Sequence, residues 1–463
     1  MKIELEKADR VSFPTGILQI AVRSDEQTIL AACMDGIYQL SLPSLPPAVP
    51  PAEAKSEAKL DSETKPEAEV KPEAEVKPEA EVKPEAEVKP EATAEEDAKP
   101  APAPAVKKPV PRRIGRHDSY VSGVAVDDAN ATLLSTSYDG TLQLRDLPPV
   151  AQTNVATSEP AKTENGVEGE ARVDASVEAN VKAEADNGQS EEIAPRFSER
   201  VHDFWSWDMA LSPDKRLVAS VSGQYLAGSE DYSPLPAKEP TVKIFEASSG
   251  KLLHALEMLP SVQCVVFDSA SRFVAAGNLM GDVAVWDVES GKNLAQWRTT
   301  AFTSWGIIKS HCYIGGIFAV SFSPDGESLY VAGMGDMRDP MAGNGKQLWQ
   351  RFAWRKSPVE KIQETASDQA GEGLMETLAW HPDGDYFVMG GRLRGGNWNL
   401  GIFATETGQL VGQAKTGMRI TSARFSRDGK SLLLAGMQGQ PGPKDNRFPD
   451  FGYLERYRVL RTD

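Results

Sequence analysis

The sequence has few of the residues from which disulfide frameworks and metal centres are built. Its three cysteines, Cys33, Cys264 and Cys312, are far apart and odd in number, so neither a disulfide framework nor a CxxC metal pair follows. The five histidines show no HExxH motif or other paired ligand spacing. These absences predict reduced thiols, no metal site and no cofactor.

Long apolar runs and excess positive charge are also lacking. No run of about 18 apolar residues occurs, so we expect nothing to span a membrane. The start, MKIELEKADR, lacks the apolar region of a secretion signal, which favours a cytoplasmic location. The formal net charge is −17, whereas binding to the nucleic-acid backbone calls for a basic surface. Neither a membrane nor a nucleic acid is therefore expected as a partner.

What the sequence does contain is a recurring pair of short alternating strands joined by a tight turn. The clearest copy, FAVSFSPDGESLYVAG at 318–333, alternates apolar with small or polar residues on both sides of Pro324-Asp325-Gly326. Proline presets φ, aspartate can bond its own backbone, and glycine adopts positive φ without steric cost. Seven such hairpins can be aligned, and they occupy 17–36, 121–140, 207–223, 262–278, 318–333, 375–391 and 420–436.

The spacing of the hairpins indicates a β-propeller. Two charged segments, 50–111 and 150–195, interrupt the series, and without them the turns recur about every 40–58 residues. That period is the range of four-stranded propeller blades. The expected fold class is all-β: a single seven-bladed propeller over residues 1–463. Its blades are expected at about 1–49, 112–149 and 196–463.

Residues 135–146, STSYDGTLQLRD, show which family the repeats resemble. A serine, an aspartate and a final aspartate punctuate this stretch in the way they punctuate a WD40 blade. Asp139 matches the family's supporting aspartate, and His117 lies near the position of its histidine. Arg145 stands where tryptophan is usual. The chain thus resembles the WD40-repeat β-propellers, with degenerate repeats.

The fourth hairpin is followed by the family's own dipeptide, Trp286-Asp287, and by the turn residues of the next position. Ala276 and Met280 replace the serine and the aspartate of this repeat. The resemblance covers essentially all of the chain outside the two charged segments. It implies the propeller fold and a role in protein binding, and we expect Trp286 to be largely buried.

The two ends of the chain predict how the ring closes. The last strand, 452–460, is a third strand with no fourth strand after it, and residues 1–7 form a lone strand without a partner nearby. Pairing the two would remove an exposed edge.

The two charged segments are of low complexity and acidic. Residues 65–88 are four copies of KPEAEV, in which regular prolines and few large apolar groups oppose a packed core. We expect 50–111 and 150–195 to be disordered insertions that leave one face of the ring, each between a third and a fourth strand. KKPVPRR at 107–113 could be a nuclear signal or a nucleic-acid contact, although a solvated spacer is the simpler interpretation.

No catalytic motif stands out. Gly429-Lys430-Ser431 mimics the end of a P-loop, but Arg424 occupies the place of its first glycine. His311 and Cys312 are adjacent, and neighbours on an extended strand point to opposite faces. His381 replaces the serine of an SPDG turn, so we expect it at the surface. The chain is therefore expected to have no catalytic residues and not to be an enzyme.

Four long loops, 223–240, 333–345, 391–398 and 435–451, connect second to third strands. In a propeller these loops emerge around the channel on the face opposite the insertions, and 299–316 would approach the same face. They are rich in aromatic and arginine residues, which concentrate binding energy at interfaces. The predicted partner-binding residues are Tyr225, Tyr232, Trp305, Met337, Arg338, Arg392, Arg394, Trp398, Phe448 and Phe451.

The sequence therefore predicts a non-catalytic, monomeric scaffold that binds other proteins or peptides through these loops. An alternative is a propeller enzyme, such as a metal-dependent hydrolase, with a metal or carboxylate site at the channel mouth. The carboxylates available for it are Asp231, Asp336, Asp339, Asp445 and Asp450. A third possibility is that the acidic insertions recruit a basic partner, in which case binding would collapse at high salt.

Overall fold

The computed structural model describes residues 1–45, 109–148, 192–224, 226, 235–302, 315–337, 345–439, 441–444 and 448–462. The chain divides into two compact units, Leu45–Lys108 and the rest, Met1–Ser44 with Pro109–Asp463. Of the two predicted disordered insertions, only 109–111 and 192–195 fall among the described residues. The described part holds 28 strands and one short 3₁₀ turn, Thr300–Phe302, and no α-helix. The predicted all-β class is confirmed.

Five of the sheets have four strands each. The first contains β2 (Ile17–Val22), β3 (Thr28–Cys33), β4 (Gly36–Ser41) and β5 (Arg112–Gly115). The second contains β6 (Val121–Asp127), β7 (Thr132–Ser137), β8 (Thr141–Asp146) and β9 (Phe197–Arg200). The third contains β10 (Asp208–Leu211), β11 (Leu217–Val221), β12 (Val242–Glu246) and β13 (Leu252–Leu256). The fourth contains β14 (Val262–Phe267), β15 (Phe273–Asn278), β16 (Asp282–Asp287) and β17 (Asn293–Arg298). The fifth contains β26 (Arg419–Phe425), β27 (Ser431–Met437), β28 (Gly452–Thr462) and β1 (Lys2–Phe13).

The remaining strands form one eight-stranded sheet. Its first half contains β18 (Gly316–Phe322), β19 (Leu329–Met337), β20 (Gly345–Ala353) and β21 (Glu360–Glu364). Its second half contains β22 (Glu372–Trp380), β23 (Tyr386–Gly395), β24 (Leu400–Ala404) and β25 (Leu410–Ala414). A single residue pair, Lys346 opposite Glu372, joins the halves.

The prediction of seven separate sheets is therefore corrected to five four-stranded sheets and one of eight strands. The physical reason is the length of β20. Its outer partner β21 pairs only from Gln350 onward, so the beginning of β20 has a free edge where Lys346 meets β22.

The sheets are arranged as a β-propeller around a central channel. The innermost strands β2, β6, β10, β14, β18, β22 and β26 all line one cavity of about 1170 Å³. The predicted turns are confirmed where they are clearest: Gly326 has φ of 72°, and its N–H donates to the Ser323 carbonyl at 2.8 Å. Successive strands in each sheet are antiparallel, so the chain zigzags outward from the channel.

The predicted closure of the ring is confirmed. Strand β1 pairs with β28 from Lys2 opposite Thr462 to Phe13 opposite Gly452, which is longer than the seven residues the sequence indicated. Glu455 of β28 is fully buried beneath this pair, and Lys7 Nζ donates to its Oε1 at 2.6 Å. A buried carboxyl group needs such a hydrogen-bonding partner.

The WD40-like polar network of the second sheet is present. The ring of His117 hydrogen-bonds Ser135 Oγ and Thr141 Oγ1, each at 2.8 Å. The Thr141 hydroxyl donates to Asp139 at 2.6 Å. Burial acts to raise the pKa of Asp139, but hydrogen bonds from His117 and Thr141 outweigh it and hold that pKa well below its ordinary value. The sequence resemblance thus extends to the polar contacts that brace this sheet.

Arg145 fills the place of the usual tryptophan and is 1% exposed. Its guanidinium donates to Ser135 Oγ at 3.2 Å and to the carbonyls of Arg116 and Ile193 at 2.6 and 3.0 Å. Burial lowers the pKa of Arg145 to about 10. A Cβ at Gly115 would lie 2.8 Å from Arg145 Nε, so glycine makes room for the guanidinium.

Deleting residues 1–7 should lower the melting temperature. The deletion removes half of the β1 pairing and leaves the β28 edge and buried Glu455 without their cover. Thermal unfolding followed by circular dichroism measures the effect. The control Lys2→Ala with Glu4→Ala keeps the backbone pairing and should melt near the parent. An unchanged melting temperature for the deletion would show that ring closure does not depend on this strand.

Replacing Trp286 with alanine should lower the free energy of unfolding by about 3–5 kcal/mol. Its side chain is 3% exposed and packs in the core between the third and fourth sheets, which confirms the expected burial. Chemical denaturation measures the loss. The matched control Leu294→Ala, on the outer strand of the same sheet and 44% exposed, should cost far less. Equal costs would contradict the packing described.

Candidate interaction face

The antiparallel order of the sheets gives the ring two distinct edges. Connections from a second to a third strand, and from a fourth strand to the next sheet, leave on one edge, which we call the loop edge. Connections from a third to a fourth strand leave on the opposite edge. The charged segments join β4 to β5 and β8 to β9, so both attach at that opposite edge, as the sequence predicted.

Most of the predicted partner-binding residues fall outside what the structure describes. Tyr225, Tyr232, Trp305 and Arg338 lie outside the described residues. Met337 ends β19 and Arg394 lies in β23, with only their backbone described. For these six residues a role in binding stays a prediction.

The structure separates the other four predicted residues into two groups. Arg392 and Phe448 are exposed on the loop edge, Phe448 by 57%. Trp398 and Phe451 are 3% and 5% exposed and belong to the interior. The Trp398 ring packs edge-on against Phe403, and its Nε1 donates to the Gln369 carbonyl at 3.3 Å. Buried in this way, Trp398 supports the loop and offers a partner almost no surface.

An aromatic cluster on the loop edge was missed by the sequence analysis. The cluster consists of Tyr120, Tyr138, Phe204, Trp205 and Trp207. Trp205 stacks on Tyr138 with ring centroids 4.9 Å apart and on Phe204 at 5.2 Å. Trp207 meets both Tyr138 and Trp205 edge-on. Trp205 remains 44% exposed and Tyr120 46%, so the cluster presents aromatic surface next to the channel.

A sequence signal for this cluster existed. The run FWSW at 204–207 holds three large aromatic residues in four positions, between β9 and β10. Such a density of aromatic residues is unusual for a loop, because exposing large aromatic side chains to water is unfavourable unless they pack together or bind a partner. Only the second-to-third-strand loops were searched, whereas this run lies between two sheets.

An ion pair lies close enough to the aromatic cluster to act electrostatically on Tyr138. Arg419, the first residue of β26, donates from Nε to Glu376 Oε2 at 2.6 Å and also contacts Glu376 Oε1 through a second nitrogen. Burial works against the charge of Arg419, but the hydrogen bonds and charge of Glu376 outweigh it, and the pKa of Arg419 is raised. Both charges act on Tyr138, whose pKa is raised by burial.

Next to this ion pair is a second cavity of about 480 Å³, which we call the basic pocket. It lies on the loop edge where the first sheet, the eight-stranded sheet and the fifth sheet meet. Its described lining is Met34, Arg392, Asn399, Lys415, Gly417, Met418, Arg419, Met437, Gln438, Gly439 and Phe451. Two residues predicted for partner binding, Arg392 and Phe451, thus come together here. Arg419 lines both this pocket and the channel cavity, which Tyr138 and Trp207 of the aromatic cluster also line.

Side chains link the inner strands around the channel wall. Each inner strand has an edge with no strand beside it, and its N–H groups need acceptors. Side chains of neighbouring inner strands supply these acceptors. Gln19 accepts from the Val124 N–H at 2.8 Å, and Asp208 accepts from the Val265 N–H at 3.0 Å. Thr377 accepts from the Ala423 N–H at 3.2 Å, and Ser422 accepts from the Ile20 N–H at 3.4 Å. The channel wall is therefore a hydrogen-bonded frame that holds the loop edge in place.

Asp208 is the acidic member of this frame. Its other carboxylate oxygen accepts from Gln19 Nε2 at 3.0 Å. Burial raises the pKa of Asp208 to about 6, even though hydrogen bonds from the Val265 and Met209 backbone and the charge of Arg424 act in the opposite direction. The structure thus favours the protonated carboxyl more than the unfolded chain does.

Other candidate chemistry finds little support among the described residues. No group of three or more His, Cys, Asp or Glu side chains is placed to hold a metal ion in the described part. Of the carboxylates weighed for an enzyme, Asp450 is exposed, and Asp231, Asp339 and Asp445 lie outside the described residues, as does the side chain of Asp336. His311 and Cys312 lie outside them as well.

The expectation that His381 is a surface residue was wrong. The residue is 9% exposed. Its imidazole stacks on Tyr386 with ring centroids 4.4 Å apart and meets Phe425 edge-on. The turn itself is as predicted, but neighbouring aromatic rings cover the side chain. No helix within the described ranges has the length and apolar character needed to cross a membrane.

Comparison with known proteins finds one repeat of the WD40 type in this chain. The family model described as "WD domain, G-beta repeat" matches residues 109–146. This range holds β5 to β8, so one sequence repeat supplies the fourth strand of one sheet and three strands of the next. The predicted resemblance to WD40-repeat proteins is confirmed.

The similar proteins include "Eukaryotic translation initiation factor 3 subunit I" of several vertebrates. The Xenopus laevis protein is 24% identical over 233 residues, which cover 49% of this chain and 62% of that protein. The Taeniopygia guttata and Bos taurus proteins are each 23% identical over the same length and share of both chains. The match thus spans less than two thirds of the relatives' length.

Replacing Asp208 with asparagine should change how stability depends on pH. The folded pKa of about 6 exceeds the ordinary value of 3.8, so the contribution of Asp208 to stability is fully present below about pH 4 and lost as pH rises through 6. Asparagine removes this loss. The melting temperature of the variant relative to the parent should therefore be higher at about pH 7 than at about pH 4.

Asp428→Asn provides the matched control. Hydrogen bonds from the Ser426 hydroxyl and the Lys430 N–H lower the pKa of Asp428, so its contribution disappears on acidification instead. The melting temperature of this variant relative to the parent should therefore be higher at about pH 3 than at about pH 7. A difference between Asp208→Asn and the parent that does not change with pH would contradict the raised pKa.

Proposed function

We propose that this protein is a non-catalytic interaction scaffold that binds other proteins or peptides through its loop edge. The observation that carries the proposal is the aromatic cluster, which keeps Trp205 44% exposed and Tyr120 46% exposed beside the channel. Tryptophan and tyrosine are enriched among the residues that dominate binding energy. A monomeric soluble domain rarely exposes a contiguous aromatic surface without a use for it.

The rigidity of the frame supports a binding role. The aromatic rings lie at the ends of strands whose channel edges are hydrogen-bonded to their neighbours. Side chains that are already ordered in the free protein lose little entropy when a partner binds. Exposed Arg392 and Phe448 extend the same edge, and we include them in the proposed binding surface together with the predicted residues outside the described ranges.

We further propose that the eight-stranded sheet functions as two blades, so that the propeller has seven. Seven inner strands line the channel, and six of them carry a register shift at the corresponding position near their start. Both inner strands of the eight-stranded sheet, β18 and β22, are among these six. One residue pair between its halves is a weak connection compared with the ladders inside each half.

We propose that the protein acts as a monomer within a larger protein assembly, in the cytoplasm. The relatives are named as subunits of a translation initiation factor, which supports a role among protein partners. Pairing of β1 with β28 completes the fifth sheet within one chain, which supports a ring that needs no second copy.

Changing the aromatic cluster should abolish capture of the partner. Trp205→Ser and Tyr120→Ser each remove exposed aromatic surface from the loop edge, and the full-length chain carrying each change would be the bait. Affinity purification from the native organism, read by mass spectrometry, should show partners of the parent that are lost in both variants. Melting temperatures would establish that both variants are folded.

The control variants replace exposed apolar side chains by serine away from the loop edge. Leu252→Ser and Leu294→Ser remove exposed apolar side chains, 47% and 44% exposed, from the outer strands β13 and β17. These variants should capture the same partners as the parent. If the cluster variants retain those partners as well, the interaction surface lies elsewhere and the proposal fails.

A further inference from the structure

We propose that the basic pocket binds an acidic segment of a protein partner. An apolar side chain of the segment would occupy the floor of the pocket, and a neighbouring carboxylate would be held by Lys415. This inference rests on the proposed function, because it names the chemistry of the partner for one part of the loop edge.

The charge of the pocket is opposite to that of the whole chain. Its described lining contains three cations, Arg392, Lys415 and Arg419, and no acidic residue, whereas the formal net charge of the chain is −17. Arg419 is committed to Glu376. Lys415 is exposed and makes no hydrogen bond or ion pair with any residue that the structure describes. Its ammonium group is therefore available to a carboxylate from outside.

The floor of the pocket is apolar and adaptable. Met418, Met437 and Phe451 are each less than 8% exposed and form part of the pocket wall. Methionine side chains are flexible and polarizable, so they accommodate apolar groups of different shapes. A cavity of about 480 Å³ lies within the range of ligand pockets. Cations around an apolar floor match a segment that carries carboxylates beside a large apolar side chain.

The pocket is held in shape before any partner arrives. Asn399 is 1% exposed, and its amide nitrogen donates to the Met418 carbonyl at 2.7 Å and to the Gly391 carbonyl at 3.1 Å. Its oxygen accepts the Thr416 N–H at 2.9 Å. These bonds tie the turn that carries Lys415 to β23, which carries Arg392. A partner therefore meets a preorganised arrangement of charge.

A basic partner segment would face cations and gain nothing from the apolar floor. A nucleic acid has the right sign of charge, but its bases bind by stacking on exposed aromatic rings, and Phe451 is only 5% exposed. The acidic protein segment is the partner that satisfies both features of the pocket.

The test uses the full-length chain and a fluorescein-labelled peptide in which glutamate alternates with phenylalanine and leucine. Fluorescence anisotropy at low ionic strength measures the Kd. Lys415→Glu should weaken binding about tenfold or more, which corresponds to about 1.4 kcal/mol. Gln438→Glu adds a negative charge to the rim and removes the hydrogen bond that the Gln438 amide donates to the Gly417 carbonyl at 3.3 Å, so it should weaken binding as well. Lys415 is exposed, so Lys415→Glu should melt as the parent does.

The control Lys430→Glu makes the same change of charge on the opposite edge of the ring and should leave the Kd unchanged. Equal effects of Lys415→Glu and Lys430→Glu would overturn the proposal, since net charge alone would then explain binding. It would also be overturned if a peptide with lysine in place of glutamate bound as tightly, if a single-stranded oligothymidylate bound more tightly, or if no peptide bound.

Comparison with the capture experiment separates this inference from the proposed function. If Trp205→Ser abolishes partner capture and Lys415→Glu leaves both capture and peptide binding intact, the scaffold function stands and the pocket assignment fails. If neither change affects capture, both fail. Loss of capture in both variants, together with weaker peptide binding by Lys415→Glu alone, supports both.

Discussion

The pairing of β1 with β28 is the constraint on which the rest of the ring depends. Every sheet of a propeller packs against its two neighbours. If the sheet that joins the two ends of the chain did not form, apolar surface of both neighbouring sheets would be exposed. The repeat at residues 109–146 links neighbouring sheets in a similar way, because its first strand, β5, belongs to the preceding sheet. The ring closes in the same way, since β1 from the beginning of the chain completes the sheet formed by the last three strands.

Closure also explains where the chain tolerates its long charged segments. The segments join strands that are paired to each other, β4 to β5 and β8 to β9, so the ends of each segment are fixed by backbone hydrogen bonds. The entropic cost of closing a loop grows slowly with its length. The strands that these segments join meet at the edge opposite the loop edge, so the attachment points lie away from the aromatic cluster and the basic pocket.

Much of the fold could be predicted from the sequence because short-range signals specify it. The turn at Pro324-Asp325-Gly326, the closure by β1 and the burial of Trp286 all follow from local patterns or from the need to pair an edge. The eight-stranded sheet could not be predicted in this way. It depends on how far β20 extends beyond β21, which the apolar pattern does not encode.

The candidate site was less predictable because side-chain burial depends on tertiary packing. Trp398 lies in a loop by sequence, yet Phe403 and Gln369 enclose it. His381 follows a strand as a turn residue should, and Tyr386 covers it. The aromatic cluster draws on three separate segments, so composition in any one loop could reveal only the FWSW run. Loop composition identified residues at the loop edge, but packing decides which of them are exposed there.

Hydrogen–deuterium exchange of the free protein and of its complex with a copurified partner tests the central claim most directly. The amides of 204–207, 138–140 and 415–419 should be protected in the complex, while those of the outer strands β13 and β17 should exchange at the same rate with and without the partner. Protection confined to the outer strands or to the opposite edge of the ring would contradict the account.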